Sequence, residues 1–154
     1  MCGNGLNSRY EEKNNSVIID CVIIDELVVF LCNVTDRLII QNRGRFERAI
    51  KLSGKPRGIT VINDKDVAVL YYKSLIVIIS IDTGRVQNEI IIRNDSKGIS
   101  YQNDLLFINF SNECTIDVMN LEGDRIRSFL CPSSPGHHSL QGLVININKN
   151  LRCF

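Results

Sequence analysis

The chain has 154 residues and a formal net charge of +1 at pH 7, and 44% of its residues are hydrophobic. This length fits one domain with a real core, and the near-zero charge gives no overall preference for nucleic acid or for acidic ligands. Ile, Val and Leu dominate the apolar residues and favour strands, and no stretch reads as a signal peptide or a membrane span. We therefore expect a soluble, cytoplasmic, all-β domain over residues 1–154.

Strands separated by turn residues are predicted from Val17 onward, and they recur in the same order. The first repeat spans residues 17–52, the second 57–92 and the third 97–130, and a partial fourth covers 141–154. Turn glycines keep step with this order, since Gly44, Gly84 and Gly123 lie about 40 residues apart. A period of this kind is typical of repeat architectures.

The middle repeat gives the clearest strand pattern. Residues 75–81 are apolar at nearly every position, which predicts a strand that is buried on both faces. The segment Asp82-Thr83-Gly84 follows it and predicts a hairpin turn in which Gly84 takes a positive φ. No helical period appears in the sequence, so each repeat is predicted to form four antiparallel strands joined by turns.

Four-stranded antiparallel units with a period of about 40 residues are typical of β-propeller blades. The sequence therefore predicts a partial propeller of three blades and part of a fourth. A β-sandwich is the competing architecture, because it also has short strands and frequent turns. Proteins built from such repeats mostly present surfaces that bind partners rather than perform chemistry. The repeat pattern therefore also favours an interaction role.

Residues that could perform chemistry are few. The six cysteines include no Cys-x-x-Cys pair, so we expect reduced thiols, with Cys21, Cys32 and Cys114 buried in strands. The histidine pair His137-His138 lies near Cys131 in a loop rich in Pro, Ser and Gly, and its spacing does not match a zinc site. No nucleophile elbow is present. We expect no catalytic residues, no cofactor, no metal and no enzymatic activity.

The sharpest charge feature is a basic strip between residues 43 and 57, in which Glu47 is the one acid. Its members are Arg43, Arg45, Arg48, Lys51, Lys55 and Arg57. The strip is predicted to follow the outer strand of the first blade and the loop after it. It could contact RNA phosphates or an acidic protein, or it could be a solvated edge strand and loop. Phe46 is the one aromatic residue in it, so a protein partner is preferred over RNA.

Two further surfaces follow from the propeller prediction. The loops at residues 55–57, 94–97 and 132–139 would lie on the face of the ring that usually binds partners. Apolar residues are expected to be exposed at the open ends of an incomplete ring, where they favour edge-to-edge self-association. They are Val17, Ile19, Val22 and Ile24 at one end and Leu143, Ile145 and Ile147 at the other.

Several segments also resemble a known family. Residues 56–61 and 76–86 look like a blade of NHL-type propellers, more narrowly those of molluscan tripartite-motif (TRIM-like) proteins. Residues 97–101 and 116–123 continue the match, and the resemblance covers residues 17–147. It implies a six-bladed ring that captures protein or RNA, joined in the family to RING, B-box and coiled-coil segments that provide ubiquitin-ligase chemistry. This chain has no zinc-finger segment and fewer blades, so the ligase role is not transferred.

The function predicted from these observations is a non-catalytic protein-interaction module that resembles the substrate-recognition propeller of TRIM-like ubiquitin ligases. The alternative is an RNA-binding propeller module that uses the basic strip. A third reading is an incomplete fragment with no independent function. Heparin or RNA retention at rising salt separates the first two.

Overall fold

A computed structural model describes residues 17–94 and 96–131, together with the backbone of two short strands at 143–144 and 152–153. Its strands, numbered in chain order, are β1 Ile18–Ile24, β2 Leu27–Cys32, β3 Arg37–Asn42, β4 Arg45–Lys51, β5 Pro56–Val61, β6 Asp66–Tyr71, β7 Leu75–Ser80, β8 Val86–Ile91, β9 Ser96–Gln102, β10 Leu105–Phe110, β11 Thr115–Met119, β12 Arg125–Leu130, β13 Leu143–Val144 and β14 Arg152–Cys153. The described residues contain strands, turns and connections but no helix.

The strands form three antiparallel four-stranded sheets, and each sheet keeps sequence order from its first to its fourth strand. The first sheet contains β1 to β4, the second β5 to β8 and the third β9 to β12, while β13 pairs with β14. The first strands of the three sheets, β1, β5 and β9, lie side by side on the inner side of the arc. This arrangement confirms the prediction of an all-β partial propeller with four-stranded antiparallel blades.

The turn glycines adopt the predicted backbone. Gly84 has a φ of +70°, as the segment Asp82-Thr83-Gly84 predicted, and the equivalent Gly44 and Gly123 have φ values of +77° and +93°. Each lies between the third and fourth strands of its sheet. A residue with a side chain is strained at such angles, which explains why glycine returns at this point in each repeat.

The second sheet is buried on both faces because its side chains alternate between two cores. In β6, Val67 and Val69 pack toward the first sheet with Leu31 and Ile40. Ala68 and Leu70, from the same strand, pack toward the third sheet, in a cluster that includes Phe110 and Met119. The apolar residues at consecutive positions of β6 and β7 are therefore the cause of sheet-on-sheet stacking.

A polar contact joins the second and third sheets at the end of their common core. Arg93 follows β8, and its guanidinium donates two hydrogen bonds of 3.0 Å to the buried carboxylate of Asp117 in β11. The same guanidinium contacts Glu113 and lies 4.0 Å above the ring of Phe110. Ser128 also donates to Asp117 at 2.7 Å, so the buried charge has a full set of partners.

The prediction that Val22 and Ile24 are exposed at an open end was wrong. The two residues alternate with Ile23 along β1, so they face the second sheet, where Ile24 is 5% exposed and Val22 packs against the core. Ile19 also packs there in part. Val17 is exposed as expected, and Ile18 and Ile23, which were not predicted, are exposed as well. The side chain of Leu143 and the residues Ile145 and Ile147 lie outside the described residues.

The burial predicted for the cysteines holds for one of three. Cys32 is fully buried in β2, and burial raises the pKa of its thiol. Cys21 is exposed because it alternates with Val22 and points away from the second sheet. Cys114 is exposed because it lies in the turn before β11 with a φ of +50°, rather than inside the strand.

Candidate interaction surface

Every strand of the three sheets runs between two opposite faces of the arc of blades, which we call the connector face and the hairpin face. The connector face carries the links between sheets, at residues 52–55 and 92–94, and the turn between the second and third strands of each sheet. The hairpin face carries the remaining turns, between the first and second strands and between the third and fourth.

Charge is distributed unequally between these two faces. Acidic residues in the turns and at the strand ends of the hairpin face are Asp25, Glu26, Asp64, Asp66, Asp82, Asp104, Glu122 and Asp124, and the basic residues there are Arg43, Arg45, Lys65, Arg85 and Arg125. At the connector face the basic residues are Arg37, Lys51, Lys55, Arg57, Lys73, Arg93 and Lys97, and the described acids are Asp20, Asp36 and Glu113. A small net charge therefore conceals an acidic face and a basic face.

A groove of about 380 Å³ runs along the inner strands and opens at the connector face. It is lined by residues of β1, β5 and β9, including Asp20, Gly58, Thr60 and Lys97. Two hydrogen bonds hold these strands side by side. The amide of Ile59 donates to Asp20 Oδ2 at 3.1 Å, and that of Tyr101 donates to Thr60 Oγ1 at 3.0 Å.

Gly58 keeps the groove open where the inner strands come closest. A Cβ at this position would lie 3.5 Å from Ile99 Cγ2 and 3.7 Å from Asp20 Oδ2. A side chain longer than Cβ would therefore fill the space between β1 and β9. This gives a physical reason for a glycine at position 58.

Arg57 and Tyr72 contact each other at the connector face. The guanidinium of Arg57 donates to the backbone oxygen of Ser96 and lies 4.2 Å from the centre of the Tyr72 ring. Tyr72 remains 52% exposed. The hydrogen bond and the ring hold the Arg57 charge in one place beside the groove, which reduces the entropy that a bound partner would have to remove.

Besides Arg37 and Lys51 of the first sheet, four cations of this face lack an acidic partner in the part of the chain that the structure describes. Lys55, Arg57, Lys73 and Lys97 form no ion pair with a described carboxylate. Arg93 differs, because burial disfavours its charge but hydrogen bonds to Glu113 and Asp117 outweigh that effect and raise its pKa. Arg93 therefore joins two sheets and is not available to a partner. Lys55, Arg57, Lys73 and Lys97 are the charges that a partner could contact.

The structure divides the predicted basic strip between the two faces. Arg43 lies in a turn of the hairpin face and pairs with Glu26 at 2.6 Å, and Arg45 begins β4 beside it. Arg48, in the middle of β4, donates to the backbone oxygen of Asp82 in the next sheet. Lys51, Lys55 and Arg57 lie toward or at the connector face, but Lys51 ends an outer strand whereas Arg57 lies on an inner one. The strip is one stretch of sequence and not one surface.

Sequence reasoning found part of this face and missed part. The loops predicted to bind partners at 55–57 and 94–97 do lie at the connector face, and the loop at 132–139 lies outside the described residues. No sequence motif marks Tyr72 and Lys73. Their position after the second strand of a blade is the signal that could have identified them, since such turns share a face with the connections between blades.

Sites for other chemistry are not apparent in residues 17–94 and 96–131. This part of the chain has no group of three or more His, Cys, Asp or Glu residues placed to hold a metal ion. The predicted loop pair His137-His138 lies outside the described residues, and Cys131 near it is buried. None of the described segments is a helix with the length and apolar character needed to cross a membrane.

Comparisons with known proteins show similarity at the level of structure. No family model and no curated protein sequence matches the chain. Among solved structures, it is similar to the WD40 propeller domain of Doa1, with a TM-score of 0.66 and 12% identity over 77% of this chain and 42% of that one. The WD40 repeats of RRP9 give 0.63 and 16% over 76% and 39%, and Kuenenia stuttgartiensis hydrazine synthase gives 0.64 and 11% over 79% and 39%.

These matches show the fold and its extent. The chain spans about two fifths of each of these three structures. WD40 domains and an enzyme appear together among them, so the fold alone does not decide between binding and catalysis. The structures are β-propellers, which agrees with the predicted fold class, and they do not confirm the narrower resemblance to NHL-type propellers of tripartite-motif proteins. The chain therefore has the fold of a partial β-propeller.

Proposed function

We propose that this chain is a non-catalytic protein-interaction module whose connector face binds an acidic segment of a partner protein. The observation that carries the proposal is a group of four cations at the connector face that have no described acidic partner, on a propeller whose other face is acidic. They are Lys55, Arg57, Lys73 and Lys97, of which Arg57 and Lys97 line the open groove. Complementary charge steers an acidic partner to this face and repels it from the opposite one.

The groove supports binding of an extended segment. It follows the three inner strands, and Arg57 and Lys97 both line it, so a segment lying in the groove would meet both charges. Tyr72 supplies an exposed ring beside the first of these cations, so a partner that combines acidic and apolar residues fits better than a purely acidic one.

RNA binding is the weaker alternative, because its original basis was the continuous basic strip. That strip is divided, with Arg43 paired to Glu26 and Arg48 bound to the next sheet. Tyr72 is the one exposed aromatic ring described near the cations of the connector face. Proteins that bind single-stranded RNA usually stack several of its bases on several aromatic side chains. Substrate recognition for a TRIM-like ubiquitin ligase is the narrower form of the protein-binding proposal. It rests on sequence resemblance alone, at residues 56–61, 67–69, 76–86, 97–101 and 116–123.

The experiment is fluorescence anisotropy of the full chain with three labelled probes of equal length. They are a peptide alternating Glu with Val and Ser, the same peptide with Gln in place of Glu, and oligo-U RNA. We expect the acidic peptide to bind, the Gln peptide to bind at least roughly tenfold more weakly, and affinity to fall with salt. Tighter binding of RNA than of the acidic peptide would favour the alternative, and no binding of any probe would favour a fragment without independent function.

Charge reversal locates the site. The variant Lys73→Glu/Lys97→Glu should weaken the acidic peptide roughly tenfold or more, because two attractive charges become repulsive. The matched control is Lys65→Glu/Arg85→Glu, which makes the same change in net charge on the hairpin face. An equal loss in both variants would show that net charge alone, and not the connector face, governs binding.

A further inference from the structure

The same apolar contact joins each sheet to the next. Near the end of β4, the side chain of Ile50 lies 3.6 Å from the point where Gly84 of the second sheet would carry a Cβ. Near the end of β8, the side chain of Ile90 lies 3.0 Å from the corresponding point at Gly123 of the third sheet. Ile50 is 8% exposed and Ile90 is 3% exposed, so both contacts are closed to water.

A polar contact accompanies the apolar one in both places. Arg48, two residues before Ile50, donates to the backbone oxygen of Asp82. Asn88, two residues before Ile90, donates to the backbone oxygen of Leu121 at 2.8 Å. Each acceptor lies two residues before the turn glycine. The joint between sheets therefore consists of a donor and an apolar residue on an outer strand, and a carbonyl and a glycine on the next turn.

The outer strand of the third sheet carries the donor and the apolar residue of a third joint, and both side chains are exposed. Register places Arg127 opposite Val118 and Phe129 opposite Ile116, as it places Asn88 opposite Ile78 and Ile90 opposite Ile76. Phe129 is 41% exposed, in contrast to its equivalents, and Arg127 lies 5.6 Å from the centre of its ring.

The turn between the third and fourth strands of the first sheet carries the carbonyl and the glycine of such a joint, and no described side chain packs on the glycine. Gly44 has the positive φ of the other two turn glycines, but nothing lies within 4 Å of the point where it would carry a Cβ. Asn42, two residues before it, is in the position of Asp82 and Leu121. An open cavity of about 630 Å³ surrounds this turn and is lined by Glu26, Asn42, Arg43, Arg45, Phe46 and Glu47.

We propose that this outer strand and this turn meet between two copies of this chain. Phe129 of one copy packs on Gly44 of the other, and Arg127 donates to the backbone oxygen of Asn42. The receiving cavity also holds Glu47, a carboxylate with no described ion pair, near which Arg127 can lie, whereas Glu26 is already paired with Arg43. The contact is head-to-tail and occurs twice in a dimer, which then contains six complete blades, a number within the range of roughly four to eight that closed propellers use.

The inner edge of the third sheet must open for this contact to form. The strand β13 lies beside β9, where the first strand of a following blade would run. Its pairing with β14 extends over two residues, whereas β1 of a second copy has seven. In the proposed dimer, β1 of the second copy takes this place beside β9.

The test is sedimentation velocity of the full chain at micromolar concentration. We expect the wild type to sediment as a dimer, and Phe129→Glu and Gly44→Asn to sediment as monomers. Asparagine tolerates a positive φ, so Gly44→Asn fills the space meant for Phe129 without forcing the turn open. Ile91→Glu is the matched control, because Ile91 is an outer-strand apolar residue that is 85% exposed and belongs to no joint. It should remain a dimer.

Mixing the two monomeric variants gives the sharper result. The Phe129→Glu chain keeps an intact Gly44 turn, and the Gly44→Asn chain keeps an intact Phe129, so a mixed dimer regains one of its two joints. The mixture should therefore associate more tightly than either variant alone, while circular dichroism melts verify that both remain folded. A monomeric wild type, open polymers, equal dissociation of the Ile91→Glu control, or a mixture no more associated than its parts would each overturn the proposal.

Discussion

The guanidinium of Arg93 donates two hydrogen bonds of 3.0 Å to the carboxylate of Asp117, which is 2% exposed. Arg93 belongs to the connection after the second sheet and Asp117 to the third strand of the third sheet, so this pair joins two blades that share an otherwise apolar core. A buried carboxylate that loses its partner retains the full cost of desolvation.

Replacing Arg93 with Met should therefore lower the free energy of unfolding by about 2–3 kcal/mol, because the buried Asp117 charge then keeps the Ser128 hydrogen bond and a 3.9 Å contact with the exposed Arg125 but loses its bidentate partner. Chemical denaturation with urea measures it. Arg43→Met is the control, since Arg43 and Glu26 are 76% and 60% exposed, and its effect should be below about 1 kcal/mol. Equal effects of the two substitutions would show that the Arg93 pair does not join the blades.

Gly84→Val should lower the free energy of unfolding by roughly 1–3 kcal/mol, because a β-branched residue is strained at a φ of +70° and its methyl groups would press on Ile50. Gly84→Ala separates the two causes. Its Cβ would lie 3.6 Å from Ile50, an ordinary contact, so the alanine variant reports the backbone strain of about 1 kcal/mol. An unchanged melting temperature in the valine variant would contradict the left-handed turn.

The described thiols should react with iodoacetamide in two classes at about pH 8. Cys21 and Cys114 are exposed and should be alkylated in the native protein. Cys32 should be protected, because it is fully buried and burial raises the pKa of its thiol above the ordinary value, which reduces the reactive thiolate. Peptide mass mapping after timed alkylation measures this, and adding urea should remove the difference. Early modification of Cys32 in native protein would contradict the packing of β2.

Much of the fold could be predicted from sequence because its signals are local. The glycine period gave the number of complete blades, and the continuous apolar run of residues 75–81 predicted a strand buried on both faces, as Val77 and Ile78 are. Such patterns depend on turn chemistry and on alternation along one strand. They need no knowledge of which sheet packs on which.

The surface could be predicted less well because it depends on where consecutive residues are directed. Arg43 and Arg57 are close in sequence, but a strand and a connection carry them to opposite ends of the arc. Val22 and Ile23 are adjacent, and the pleat sends one into the core and the other into solvent. Tyr72 and Arg57 are separated in the sequence by the rest of β5, a turn and β6, so no local pattern reveals their contact.

The most direct test of the account is amide chemical-shift mapping of the full chain during titration with the acidic peptide. We predict that the perturbed amides cluster at the connector face, at Lys55 and Arg57 and around residues 72–74 and 96–98, and that the turns at 25–26, 63–65 and 103–104 stay unchanged. Perturbations confined to the hairpin face, or none at a peptide concentration that saturates the anisotropy signal, would contradict the claim that the connector face is the binding surface.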